Sequence, residues 1–424
     1  MAISSIAWCP SGDPRGDAGS RVEVTRPFDQ RRILLGVTGG IAAYKSAWIA
    51  RLLTQAGAAV DVVLTRSAAE FIGAITFEAL TGRPVHTALI AEGHALDHIK
   101  LARAADAIVV APATADFIAR AANGHADELL SACLLAATAP VLIVPAMNDR
   151  MWAHQQTRAN VAHLQAIGYN VLEPNEGPLA VGEGAGPGRL PEPETIVAHV
   201  ARMMEPAGAL RGKRIVVTAG PTREPVDPVR FISNRSSGKM GVAIAAAAWR
   251  RGADVNLIAG PMHIGTPAGA TVTMVETTEQ MRAAVADAIA QADALIMAAA
   301  PADFRPASPA NQKIKKAHAP TAIELEPTPD ILSSTIGTRP DKLVTVGFAL
   351  ETNSAVEHGR GKLAAKQLDL IVVNDATEPG AGFSVDTNRV TFIDGDGLAD
   401  EQPLLAKSDV ADLILDRVER LMQR

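Results

Sequence analysis

The chain has 424 residues, 20% of them charged and 48% hydrophobic, with a formal net charge of −6 and two cysteines. This composition excludes a disordered chain, a disulfide scaffold and a Cys-rich zinc module. It also leaves no bulk electrostatic footprint for nucleic acid. At roughly 150 residues per domain, two to three domains are expected.

Residues 1–30 mix Pro, Gly, Asp and Arg without an apolar stretch, and read as a disordered extension rather than a secretory signal. Strands are then expected at Ile33–Val37, Val60–Leu64, Ala107–Val110 and Val141–Val144, with helices at about 40–56, 114–122 and 150–167. Each strand run is almost continuously apolar, as a parallel sheet covered on both faces requires. Near the middle of the chain the uncharged run Ser131–Met147 contains two prolines and is too short for a comfortable membrane span. A reducing cytoplasm is the expected setting. Residues 174–193 are so rich in Gly and Pro that they read as a long loop, a lid or a linker. A helix follows at about 194–204, and Glu205–Gly212 reads as a boundary.

A second series starts at Lys213. Strands are expected at Ile215–Thr218, Asp254–Ile258, Thr271–Val275, Ala294–Met297, Val344–Phe348 and Leu370–Val373. Helices are expected at about 238–251, 278–290, 354–366 and 405–422. The fold class is α/β, with two doubly wound, mostly parallel-sheet domains at about 31–205 and 211–424.

In the first domain, Thr38, Gly39 and Gly40 stand at a strand-to-helix junction, where free N–H groups favour an anion. The spacing is not G-x-G-x-x-G, and Thr65-Arg66-Ser67 stands where a dinucleotide site would place an acidic ribose ligand. Ser67 is a helix-cap and phosphate-donor type, so a monophosphate such as FMN is favoured over NAD; a plain tight turn would carry the same residues. Thr114 follows the next strand end within Ala111-Pro-Ala-Thr-Ala-Asp116 and can cap the helix after it. His98 lies in a helical stretch, and Asn148 directly follows a buried strand, suited either to capping a helix or to holding a carboxylate. Cys133 reads as core.

In the second domain, the run Ala219–Met240 joins a strand to a helix and carries Arg223, Arg230, Arg235 and Lys239 against Glu224 and Asp227. Such a loop suits a polyphosphate or a phosphorylated substrate, although it is not a Walker A loop. Downstream stand Asp303, the cluster Lys313-Ile-Lys-Lys316, and Lys362 with Lys366 on one helical face, a pairing that is mildly unfavourable unless an anion lies between them.

Two sets of motifs carry a resemblance. Thr38–Lys45, His98, Ala111–Asp116 and Pro145-Ala-Met-Asn-Asp-Arg-Met-Trp152 resemble the flavin-dependent cysteine decarboxylases. Ala219-Gly-Pro-Thr-Arg-Glu-Pro225 and Ser233-Asn-Arg-Ser-Ser-Gly-Lys-Met240 resemble the phosphopantothenate–cysteine ligases. Together, over about residues 31–420, the chain is similar to the bacterial bifunctional enzymes of coenzyme A biosynthesis. The resemblance implies a flavoprotein domain followed by a Rossmann-like ligase domain, in a homo-oligomer with flavin sites shared between subunits.

For the first domain it implies FMN held by Thr38, Gly39, Gly40, Ser67, Ala113 and Thr114. It also implies oxidation of the substrate's cysteine side chain before CO₂ is lost, with His98 as base and Asn148 on the carboxylate. For the second it implies 4′-phosphopantothenate, L-cysteine, CTP and Mg²⁺, with Asn234 at acyl-cytidylate formation and Lys313 at its conversion to the amide. Asp303, Pro329, Asp330, Ile331, Phe348, Lys362 and Lys366 are implied around the nucleotide, and Arg230 at the substrate phosphate. Neither nucleic acid nor membrane is an implied partner.

The sequence departs from the pattern at three points. The flap reads Leu179-Ala-Val-Gly182, placing Val181 where such enzymes carry the proton-donating Cys of the final reduction. Pro301 stands for a usual Val, and Thr328 for a usual Asn.

Overall fold

A computed structural model describes residues 26–424, except 91, 93, 94, 180, 181, 183, 207, 209, 316–321, 352–354, 376–381, 383 and 384. Val181 and Lys316 therefore lie outside the described residues.

The apolar runs of the first half form a six-stranded sheet in the spatial order Val85–His86, Ala59–Leu64, Arg32–Val37, Ala107–Ala113, Val141–Pro145, Asn170–Val171. All of its pairings are parallel, with Ile33 opposite Val60 on one side and Ala107 on the other. Numbered along the chain the order is 3-2-1-4-5-6, so the direction of winding reverses between Arg32–Val37 and Ala107–Ala113. In such sheets the crevice for a ligand opens at that reversal, beyond the carboxyl ends of the strands. Ile33, Leu35, Val60, Val62, Val109 and Ile143 are buried, one cluster on each face.

The second half repeats this plan. Thr271–Met274, Asp254–Ala259, Arg214–Ala219, Ala294–Met297, Val344–Glu351 and Leu370–Asp375 are parallel neighbours in that order. Two antiparallel strands, Thr391–Asp394 and Ala399–Glu401, extend one edge. Helix Lys239–Arg250 lies so close on the sheet that a Cβ at Gly241 would stand 2.6 Å from the Thr218 carbonyl oxygen. The doubly wound α/β class is thus observed in both halves.

Several details differ from expectation. Residues 174–193 are not an unstructured loop: Asn175–Pro178 and Ala185–Arg189 pair as an antiparallel ribbon. A two-stranded ribbon has few ladder bonds to lose, so Gly and Pro are tolerated there as they are not in a sheet interior. The stretch 150–167 is two helices, Asp149–Ala153 and Gln155–Ala166, with His154 capping the second through Nδ1. Helix Leu129–Ala136 escapes a periodicity search because six consecutive residues of it, Leu129–Leu134, are buried, leaving no polar face.

Residues 26–30, expected within a disordered extension, are anchored at two points. Phe28 is buried in the first core, and Arg26 forms a two-bond pair with Asp409 at 3.2 and 2.9 Å. The halves also meet where Arg202 stacks over Trp249 at 4.6 Å and Arg250 bonds Glu205 at 3.0 Å.

Candidate functional site

The first site is built at the reversal of the first sheet. The buried Thr38 hydroxyl donates to the Pro112 carbonyl at 2.8 Å and accepts from the Thr114 N–H at 3.0 Å, locking the two strand-end turns together. Thr114 caps helix Ala115–Ala122 by accepting from the Phe117 N–H at 3.3 Å. Gly39 backs onto exposed Ser67, leaving no space for a side chain. The helical turn at Arg66–Ala69 is capped by Thr65, whose hydroxyl accepts from the Ala68 N–H at 3.2 Å, so Ser67 is not the cap.

These turns open on a cavity of about 420 Å³. Its wall includes Gly39, Gly40, Thr114, Met147 and Asn148, and the ribbon closes it with Pro178, Leu179 and Gly188. Gly188 is required there: its carbonyl accepts from the Met147 N–H at 3.0 Å, and any Cβ would collide with the Met147 carbonyl. Asn148 Oδ1 caps the following helix by accepting from the Arg150 N–H at 2.9 Å. Its Nδ2 carries two donors besides that cap, and the residue lines the cavity. Thr38, Ser67 and Ala113 are not part of this wall.

His98 is outside the wall. It stands on helix Asp97–Ala104, next to the buried Asp97 that faces His86 at 3.5 Å, and its Nδ1 is buried without a hydrogen-bond partner. Cys133 is fully buried, and its thiol is pushed up to about 12 by burial and by Asp97.

The second site surrounds the loop after strand Arg214–Ala219. Short strands Arg223–Pro225 and Phe231–Ser233 pair antiparallel, and the turn between them is organised by Asp227. The Arg230 guanidinium and three backbone N–H groups surround this carboxylate and hold it far below the usual carboxylate range. Asn234 Nδ2 donates to the carbonyls of Ala300 at 3.2 Å and Pro301 at 2.8 Å. Thr328 donates to the Ala302 carbonyl at 2.5 Å, and its N–H bonds the Asp303 carbonyl at 2.9 Å.

Asp330 caps helix Ile331–Thr335 and meets Lys366 at 2.7 Å. The charge beside Lys366 is therefore a carboxylate of the same chain. Ile331 is buried, Phe348 packs against the core, and Lys313 and Asp303 are exposed. Among the described residues no group of three or more His, Cys, Asp or Glu converges as a metal site.

Two family models match the chain: Flavoprotein over residues 21–205, and DNA/pantothenate metabolism flavoprotein C-terminal domain over 210–422. The coenzyme A biosynthesis bifunctional protein CoaBC of Mycolicibacterium smegmatis is 46% identical over 409 residues, covering 93% of this chain and 98% of its own. That of Bacillus subtilis is 45% identical over 404 residues, covering 94% and 98%. The chain belongs to the CoaBC family. It is a flavoprotein and a bifunctional enzyme of coenzyme A biosynthesis. A crystal structure of a CoaBC C-terminal domain matches 51% of this chain and 98% of its own at 41% identity, with a TM-score of 0.44.

Within this CoaBC chain, then, Gly39, Gly40, Thr114 and Asn148 share one cavity, and Asn234 shares a loop with Arg230. Sequence reading missed the Asp227–Ile314 contact and the Asp330–Lys366 pair, which join positions 87 and 36 residues apart. It noted Asp227 only as a counter-charge. An acidic residue beside an Arg in a Pro-rich turn was the available signal.

Proposed function

We propose that residues 211–424 are a CTP- and Mg²⁺-dependent phosphopantothenate–cysteine ligase, and that residues 31–205 decarboxylate its product with FMN to give 4′-phosphopantetheine. The observation that carries the proposal is the near full-length match to bifunctional relatives in a chain whose first sheet opens a cavity onto Gly39, Gly40, Thr114 and Asn148.

The donor set suits a flavin monophosphate. Gly39 and Gly40 leave backbone N–H groups open to a phosphate, Ser67 adds a hydroxyl, Thr38 and Thr114 fix the turns, and the buried Ala113 ends the strand beneath. FMN, when bound, supplies a two-electron acceptor. Asn148 Nδ2 would hold the substrate carboxylate, and His98 would act as the base. His98 stands outside this chain's own cavity wall, which supports a site completed by a second copy in a homo-oligomer; in this reading the enzyme is cytoplasmic. Among the described residues no helix is long and apolar enough to cross a membrane.

In the ligase, a carboxylate must be made electrophilic. Attack on the nucleotide gives an acyl-cytidylate and pyrophosphate, and the cysteine amine then displaces CMP. Asn234 serves the first step and Lys313 the second. Asp303, Pro329, Asp330, Ile331, Phe348, Lys362 and Lys366 surround the nucleotide, and Arg230 reaches the substrate phosphate. Mg²⁺ would arrive on the nucleotide phosphates, as this ion commonly does. The test is pyrophosphate release from CTP, compared with ATP, on adding 4′-phosphopantothenate.

Val181 favours a narrower second reading, in which the ligase is fused to a flavoprotein that removes CO₂ but does not complete the reduction. Normal yields of 4′-phosphopantetheine from 4′-phosphopantothenoylcysteine would dismiss it.

A further inference from the structure

We propose that Asp227 is the positioning residue that holds Lys313 for the amide-forming step. The inference rests on the reading of Lys313 given above and adds what places it.

The Asp227 side chain is wholly enclosed. One oxygen accepts from the N–H groups of Val229 at 2.8 Å and Arg230 at 2.9 Å. The other accepts from Arg230 Nε at 2.9 Å, from Arg230 Nη2, and from the Ile314 N–H at 3.1 Å. Arg230 Nη2 also donates to the Ile314 carbonyl at 2.9 Å. Both ends of residue 314 are thus held by one ion pair. A third tie lies nearby, where the Ala310 N–H donates to the Val226 carbonyl at 2.9 Å.

Lys313 is the residue immediately before this clamp and is itself exposed. A lysine on an exposed loop has a flexible side chain and no fixed backbone of its own. Here the backbone is fixed by a buried carboxylate that the surrounding donors keep ionised. The same Arg230 is the group assigned to the substrate phosphate. Phosphate recognition and Lys313 placement therefore meet in one guanidinium.

Asp227→Asn keeps the shape but removes the charge and replaces one acceptor with a donor. A displacement on the order of 1 Å can cost about a hundredfold in rate. In the full chain at saturating 4′-phosphopantothenate, where a weaker Arg230–phosphate contact no longer limits the rate, pyrophosphate release from CTP should fall less than about threefold in this variant. Single-turnover amide formation with cysteine should fall at least about tenfold. Residues acting as a unit are non-additive, so Asp227→Asn combined with Lys313→Gln should be no slower at the amide step than Lys313→Gln alone.

Equal slowing of both steps, or additive losses in the double variant, would make Asp227 merely structural and overturn the inference. If Lys313→Gln itself forms amide normally, the reading of Lys313 fails and the inference with it. If Lys313→Gln is blocked while Asp227→Asn performs both steps normally, only the inference fails.

Discussion

Gly39 is pressed against Ser67: a Cβ at Gly39 would stand 2.7 Å from the carbonyl carbon of Ser67 and 2.9 Å from its oxygen. Backbone cannot yield there as a flexible side chain could, so one methyl group must displace one of the two turns that frame the cavity. Gly39→Ala should weaken flavin binding at least about tenfold, a change of roughly 1.4 kcal/mol, read by flavin fluorescence titration. Gly40→Ala is the matched control, because its nearest neighbour is Thr114 Cγ2 at 3.8 Å. Equal affinity in the two variants would remove this turn from the flavin site.

Cys133 offers no substitute for the thiol that the resemblance implies where Val181 stands. Its thiol is enclosed in the core and pushed up to about 12, so almost none is thiolate at neutral pH. The folded protein should resist iodoacetamide at this position. Cys133→Ala should leave the yield of 4′-phosphopantetheine within about twofold, while Val181→Cys should raise it. Loss of product in Cys133→Ala without loss of fold would identify Cys133 as the donor.

The junction between the halves should weaken in mild acid. His199 meets the Trp249 ring edge-on with centroids 4.9 Å apart. Burial pushes its imidazole below the usual value and the Arg202 charge adds to this. The unfolded chain then takes up a proton more readily as pH falls below about 6.5, so stability is lost in that direction. Between pH 7 and 5 the wild-type melting temperature should fall more steeply than that of His199→Gln. Parallel slopes would contradict the assignment.

At the ligase, Lys366 and Asp330 form the 2.7 Å pair beside the proposed nucleotide site. Burial pushes the Asp330 carboxyl up, but bonds from Lys366 and the Ser333 N–H outweigh it and keep the carboxyl below its usual range. Lys366→Gln should raise the KM for CTP about tenfold with little change in the KM for cysteine, because only one binding contact of modest strength is lost. A change confined to cysteine would move Lys366 to the other substrate.

The sheets were legible because parallel strands buried on both faces must be apolar throughout, as Ile33–Val37 and Ala294–Met297 are. Amphipathic helices such as Thr278–Ile289 were legible because burial of one face only, at Met281, Val285 and Ile289, spaces the apolar residues at the helical period. What escaped depends on partners remote in sequence. The Gly-rich ribbon at 175–178 and 185–189 has no hydrophobic alternation to betray it, and its Gly188 is explained only by the closeness of Met147. The packing of Phe28 and the pairing of Arg26 with Asp409 are equally silent in a local reading. At the sites, turn residues such as Thr114 could be read from capping chemistry. The location of His98 relative to the cavity could not, since it depends on where the whole helix Asp97–Ala104 packs.

The most direct measurement is mass spectrometry of the products formed by the purified full chain from 4′-phosphopantothenate, L-cysteine and CTP. The account predicts the 4′-phosphopantothenoylcysteine mass first, then a species that has lost CO₂, both dependent on CTP. Failure to form the amide, or an amide that accumulates with its carboxylate intact on flavin-loaded protein, would contradict it.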